Sequence, residues 1–204
     1  MHRRLRCSVI LAGLLVVSFL PGQMRAAGGG TIQGTVKATG LASSADAVVY
    51  VQQVPGTFAA AMAADMDQRS MQFVPHVLPV VAGTTVKFLN SDPTQHNVFS
   101  PDGEKYNLGT WPQGQTKDHA FAKCVKAPCV YVQLCRIHPE MEAYIVVLQN
   151  PFFATTNKDG QYKIENVPPG AYSVGVWHAK GKAQPKPVTV DAAKPAVVDF
   201  ALGK

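Results

Sequence analysis

Fifteen prolines and 17 glycines cut this sequence of 204 residues into short runs. Most runs are rich in β-branched and aromatic residues, and runs of that length bounded by turn formers read as strands. "AVVYVQQV" ends at Pro55 and Gly56. "TTVKFLN" alternates Val86 and Phe88 against Lys87 and Leu89, and "VYVQL" sets Val130, Val132 and Leu134 on one face. "AYIVVL" is an apolar run suited to a sandwich core, and "GQYKIENV", "AYSVGVWH", "PVTV" and "AVVDFAL" follow it. Many short strands separated by turns predict an all-β chain built as sandwiches or barrels. One stretch departs from this. "TFAAAMAADMDQRSM", residues 57–71, is rich in alanine and methionine and reads as a short helix or a connector.

The beginning has a different character. "MHRRLRC" is basic, "SVILAGLLVVSFL" is apolar and "PGQMRAAGGG" is small and flexible. That order is the layout of a secretory signal peptide, expected over residues 1–26. Its apolar run of 13 residues is short for a membrane span. No later stretch is long and apolar enough for a membrane helix, so no span is expected after cleavage. Cleavage would remove Arg3, Arg4, Arg6 and Arg25 and no acid, leaving 15 bases against 13 acids. The net charge of +6 thus falls to +2, a balance that points away from nucleic acid. The expected location is the periplasm or another exported compartment.

Cys7 would leave with the signal, so an odd set of three cysteines remains. Cys124 and Cys129 flank "VKAP" and could close a small loop as a disulfide in an oxidising compartment. That pairing leaves Cys135 as a free thiol; the opposite one, with Cys135 bridged, is the alternative. Cys135 opens "CRIHPEM", where Cys135, His138 and Met141 recur every third residue, and His96 lies upstream in "QHNVFS". A thiolate and two imidazoles make a trigonal set, with a thioether weakly on the axis, and this donor set suits one copper ion in both Cu(II) and Cu(I). Structural zinc prefers several cysteines and seldom takes methionine. A binuclear copper loop would need two cysteines at C-x-x-x-C spacing, whereas Cys129 and Cys135 stand six apart. His76, His119 and His178 have no cysteine or methionine companion and read as non-ligands; Trp111 and Trp177 read as core or sandwich-edge aromatics.

Phe73 to Asp92 reads F-V-P-x-V-x-x-V-x-x-G-T-T-V-x-F-x-N-x-D, and "HNV" follows shortly after. With C-x-x-H-x-x-M downstream, residues 70–149 resemble a cupredoxin, a Greek-key β-sandwich or barrel holding blue type 1 copper. The ligand loop resembles the short loop of amicyanin more than the longer one of plastocyanin. The resemblance implies that His96, Cys135, His138 and Met141 bind copper. It implies that Asn97 supports the Cys135 sulfur or pins the neighbouring loop. It also implies that the exposed edge of His138 is the electron port, with a redox protein docking near Pro139. Glu140 departs from the usual apolar residue beside that port, and Cys124 and Cys129 are additions to the pattern.

Residues 151–204 contain "TTNKDGQYKIENVPPGAYSVGVWH", with turn signals at Asp159-Gly160 and Pro168-Pro169-Gly170. This resembles the later half of a carboxypeptidase regulatory-like, or transthyretin-like, sandwich. Its first half is matched by "GTIQGTVKATGLASSADAVVYVQQV", residues 30–54. The resemblance implies a small discontinuous domain of residues 30–55 and 152–203, a connector over 56–69 and an inserted cupredoxin domain over 70–149. The combination resembles exported methylamine-utilisation or plastocyanin-like proteins. The function expected is single-electron transfer by a mononuclear copper protein that is not an enzyme. The alternative is non-redox copper binding, or a carbohydrate- or protein-binding module of the cell envelope. In that case the C-terminal sandwich would hold a glycan or an envelope protein.

Overall fold

The structure is a computed structural model and describes residues 28–61, 63–122 and 124–204. The expected signal peptide lies outside the described residues. Among these residues all regular structure is β-strand, so the chain is all-β. The strands form two sandwiches.

In the first sandwich, one sheet places β1 (Gly30–Ala38) between β13 (Gln161–Val167) and the short β16 (Ala196–Val197), and β17 (Phe200–Leu202) also pairs with β1. The facing sheet runs β12 (Phe153–Thr155), β2 (Val48–Gln52), β14 (Gly170–Trp177), β15 (Lys186–Val190). Ile32, Val36, Val49, Val51, Val174 and Phe200 fill the space between them. The strands β1 and β2 come from the start of the chain and the rest from its end. The chain leaves at the end of β2 and returns through β12, which pairs antiparallel with β2. Exit and re-entry are therefore neighbours, the geometry that accommodates a long insertion. Asn150 fastens the return: its Nδ2 donates to Val51 O at 2.8 Å and its Oδ1 accepts the Phe152 N–H at 3.0 Å.

The second sandwich has a sheet ordered β4 (Gln72–Val74), β3 (Ala64–Arg69), β6 (Thr85–Asn90), β9 (Thr116–Ala120). Against it stands β5 (Val77–Val81), β11 (Glu142–Leu148), β10 (Cys129–Leu134), β7 (His96–Ser100), β8 (Tyr106–Trp111). Met66, Phe73, Phe88, Trp111, Phe121 and Ile145 are the core between the two sheets. On β11, Ala143, Ile145 and Val147 face this core, whereas Val146 and Leu148 join Val48 and Tyr50 of β2 in a cluster between the sandwiches. Both faces of β11 are covered, which explains its unbroken apolar run.

Two expectations are corrected. The described residues of 57–71 form no helix, and within the connector expected over 56–69, Ala64–Arg69 form β3. This strand pairs parallel with β6 and buries Met66 and Gln68 completely, so tertiary pairing overrides the local helix preference of alanine and methionine. The face of β10 is also reversed. Tyr131 and Gln133 point inward, and Val130, Val132 and Leu134 are only half-buried. Polar Gln133 is tolerated inside because its Nε2 donates to Tyr131 O at 3.0 Å and its Oε1 accepts the Tyr106 hydroxyl.

Candidate metal centre

The last antiparallel pair of the β10–β11 hairpin is Leu134 with Glu142. Residues 135–141 are therefore the hairpin loop, and the sequence C-x-x-H-x-x-M spans it from end to end. His96 begins β7, whose Phe99 pairs with Leu134 of β10. The ladder thus brings the upstream histidine to the same end of the sheet as the loop.

The Nδ1 atoms of His96 and His138 lie 2.9 Å apart, and Cys135 Sγ is 3.8 Å from His138 Nδ1. All three donor atoms fall within 4.8 Å of one another. Donors bonded to one ion at about 2.0–2.3 Å lie roughly 3–4 Å apart, so the spacing fits a single metal. His96 and Cys135 are buried, while His138 is half-buried. Met141 is buried in the same core cluster as Cys135, and its N–H donates to His138 O at 3.0 Å, which draws the loop shut. Cys135 is free, and Cys124 and Cys129 are bonded to each other, with Cα atoms 5.6 Å apart. The alternative of a bridged Cys135 is thereby overturned.

The surroundings orient these donors. His96 Nε2 lies 2.8 Å from Asp92 Oδ2. The carboxylate accepts, so Nε2 donates to it and Nδ1 is the nitrogen that faces the other two donors. Asp92 also accepts the N–H groups of Ser70 at 2.6 Å and Met71 at 2.9 Å. Burial alone would raise the Asp92 carboxyl. The Met71 N–H, the His96 imidazole and the Ser70 N–H together outweigh burial and hold it below the usual carboxylate range. The sulfur is supported as well. The Asn97 N–H donates to Cys135 Sγ at 3.4 Å, and the Asn97 side chain donates to Asn107 Oδ1 at 2.8 Å and Gly109 O at 2.7 Å. Its Oδ1 accepts the Arg136 N–H at 3.4 Å, which ties the ligand loop to β7 and β8.

The remaining histidines stand apart from this cluster. His119 is stacked on Tyr106 with ring centroids 3.8 Å apart, and its Nε2 is 3.3 Å from Glu104 Oε2. His76 Nδ1 meets Asp46 Oδ2 at 3.1 Å, and His178 Nδ1 accepts the Lys180 N–H. Sequence reasoning missed Asp92 as the partner of His96. The i, i+4 spacing of the two was visible, but nothing local showed that the intervening turn brings them together.

The carboxypeptidase regulatory-like domain is the family whose model matches, over residues 141–203. That range begins at Met141 and takes in β11 of the second sandwich as well as β12 to β17 of the first. A comparison with curated proteins finds no match. Among solved structures, the copper-containing nitrite reductase of Thermus scotoductus SA-01 aligns at 25% identity and TM-score 0.39 over 48% of this chain, which spans only 25% of that chain. A purple cupredoxin of Nitrosopumilus maritimus aligns at 23% identity and TM-score 0.37, over 42% of this chain and 99% of that one. A reduced mutant of amicyanin aligns at 21% identity and TM-score 0.39, over 49% of this chain and 98% of that one. The carboxypeptidase regulatory-like segment thus accompanies a second β-sandwich that carries the converging donors.

Proposed function

We propose that the chain is an exported mononuclear type 1 copper protein that carries single electrons between redox proteins and is not itself an enzyme. The observation that carries this reading is the convergence of two imidazole Nδ1 atoms and one unbridged thiol within 4.8 Å. His96, Cys135 and His138 would hold the ion, with Met141 as the weak axial donor. Copper in such a site supplies one-electron chemistry through its Cu(II) and Cu(I) states. Asp92 fixes the tautomer of His96. The Asn97 N–H and its side-chain ties hold the sulfur and the loop in place. Ligands pinned by β-structure before the metal arrives favour a rigid redox centre over a labile carrier of copper.

His138 is the only one of the three donors that reaches the surface, flanked by Ile137, which is 45% exposed, and by Pro139. We place the docking of a redox partner there. Arg136 lies over the Phe99 ring at 5.0 Å and Glu140 is exposed in the same loop, so the patch mixes apolar contact with charges of both signs. The signal-like start and the Cys124–Cys129 bridge support an oxidising, exported location such as the periplasm.

Titration with Cu(II) should saturate at one ion per chain and develop an intense visible thiolate-to-copper band. Voltammetry should give a reversible one-electron wave. A colourless Cu(II) complex, or copper that leaves on reduction, would overturn the electron-transfer reading.

A further inference from the structure

The turn from β6 to β7 carries the carboxylate that orients His96, and most of that turn lies on the surface. Ser91, Pro93, Thr94 and Gln95 are exposed, whereas Asp92 is buried. Asn90, the last residue of β6, is buried behind the turn and uses its whole side-chain amide there. Its Oδ1 accepts the Asp92 N–H at 3.0 Å, and its Nδ2 donates to Thr94 O at 2.9 Å and to Trp111 O at 3.0 Å. Trp111 stands directly opposite His96 in the β7–β8 ladder. One amide therefore grips the residue that bears the carboxylate, the exposed limb of the turn and the strand that faces the imidazole. Among side chains this short, only a carboxamide combines two N–H donors with an oxygen acceptor. The backbone around it is fixed as well. The Asn90 carbonyl accepts the Gly114 N–H at 2.8 Å, and the Ser91 N–H donates to Gln68 O at 3.0 Å. If the turn drifted, the buried amide would lose its partners without gaining water, so drift is penalised.

We propose that Asn90 is a positioning residue of the metal centre, which sets the Asp92 carboxylate against the His96 ring before any ion arrives. Asn90 acts through Asp92 and not on the ion. Ser70 and Met71 also hold that carboxylate, but their N–H groups bind its oxygens and leave the backbone of the turn unanchored to β8. Asn90 supplies that anchor through Trp111 O. The effect on copper affinity rests on the reading of His96 as a ligand, whereas the clasp itself belongs to the metal-free chain. Asn150 provides a matched control in the first sandwich. The two asparagines are 2% and 3% exposed, and Asn150 likewise donates to one carbonyl and accepts one N–H.

The test follows the His96 Nε2–H signal of the full metal-free chain by NMR, assigned by its loss in His96→Gln. In Asn90→Ala this proton should exchange with water roughly tenfold faster than in the parent, because the turn opens locally. Asn90→Ser should fall between the two, since a hydroxyl there can still accept the Asp92 N–H. Asn150→Ala should leave the signal in place. Competition with a chelator should then show about a tenfold loss of Cu(II) affinity in Asn90→Ala and none in Asn150→Ala, although both lower the urea midpoint. The double variant Asn90→Ala, Asp92→Asn should bind copper no more weakly than Asp92→Asn alone, because the clasp acts through that carboxylate. Should Asn90→Ala fail to fold, Asn90→Ser takes its place in the same cycle. The proposal is overturned if neither Asn90 variant changes the exchange of the His96 proton, or if the losses in copper affinity add. It is equally overturned if Asn150→Ala weakens copper as much as Asn90→Ala does. A parent chain that bound no copper would sink the electron-transfer reading, and the His96 signal would still decide whether Asn90 sets the pair.

Discussion

The second sandwich contains two histidine–carboxylate pairs, and only one of them belongs to a candidate metal centre. His96 and Asp92 meet at 2.8 Å in a directed hydrogen bond, and the carboxylate is itself held by two backbone N–H groups. His119 and Glu104 approach at 3.3 Å without hydrogen-bond geometry, and the His119 ring lies flat on Tyr106. The decisive difference is on the far side of each ring. His96 turns its second nitrogen to a thiol and another imidazole, whereas His119 is packed between Tyr106 and Phe121. A carboxylate behind a histidine orients the ring, but a site forms only where other donors converge on its free lone pair.

The sharpest way to break this contrast is to remove the thiol. Cys135→Ser should abolish the visible thiolate-to-copper band, while His119→Gln should leave it unchanged. Absorption spectra after copper titration decide the matter. A band lost in His119→Gln would mean that the two clusters are not independent.

Next in size is the orienting carboxylate. Asp92→Asn keeps the shape but removes the strong acceptor for His96 Nε2. Loss of such a support typically costs about 10–100-fold in metal affinity, and competition with a chelator of known strength would measure it. Glu104→Gln should leave copper affinity unchanged.

The two ends of β10 offer a further comparison. One end delivers Cys135 to the centre, and the other begins at the Cys124–Cys129 bridge. Replacing both bridging cysteines by serine should cost about 2 kcal/mol of stability on a chain-entropy estimate for so short a loop. Urea unfolding of the metal-free chain would show this as a lower midpoint. The visible band of the copper form should survive, because the hairpin pairing from Cys129 to Leu134 is intact without the bridge.

These contrasts also mark what could be read from the chain. The spacing of Cys135, His138 and Met141 was legible because all three fit one hairpin loop. His96 was legible through its neighbours, as the strand entering that loop's end of the sheet. Asp92 was not, because its role depends on the turn at Ser70 and Met71, whose φ angles of 55° and 59° no local pattern announced. The inward face of β10 was misread for a related reason. Hydrophobicity alone ranks Val130, Val132 and Leu134 above Gln133, but the tyrosine hydroxyl that satisfies Gln133 comes from β8, far away in sequence. The strand β3 was hidden in the same way, since only pairing with β6 makes an alanine- and methionine-rich segment extended.

The smallest expected effect is a dependence of stability on pH that belongs to the second pair. Burial pushes the His119 imidazole below its ordinary value, and Glu104 only partly offsets this by attraction. Between the lowered folded value and the ordinary value near 6.5, the unfolded chain therefore binds the proton more readily than the folded one. Stability from this group is complete above about pH 6.5 and is lost as the pH falls through the folded value. His178, also lowered chiefly by burial, contributes in the same direction. In the metal-free chain the urea midpoint should thus be lower at pH 5.5 than at pH 7.5, and the gap should narrow in His119→Gln. Glu104→Gln should widen the gap, because it removes the one carboxylate that favours the protonated ring. If His119→Gln widened the gap instead, the folded chain would hold that proton more tightly than the unfolded one, and the two residues would behave as a true ion pair. The contrast between the two ends of the sandwich would then rest on the converging donors alone.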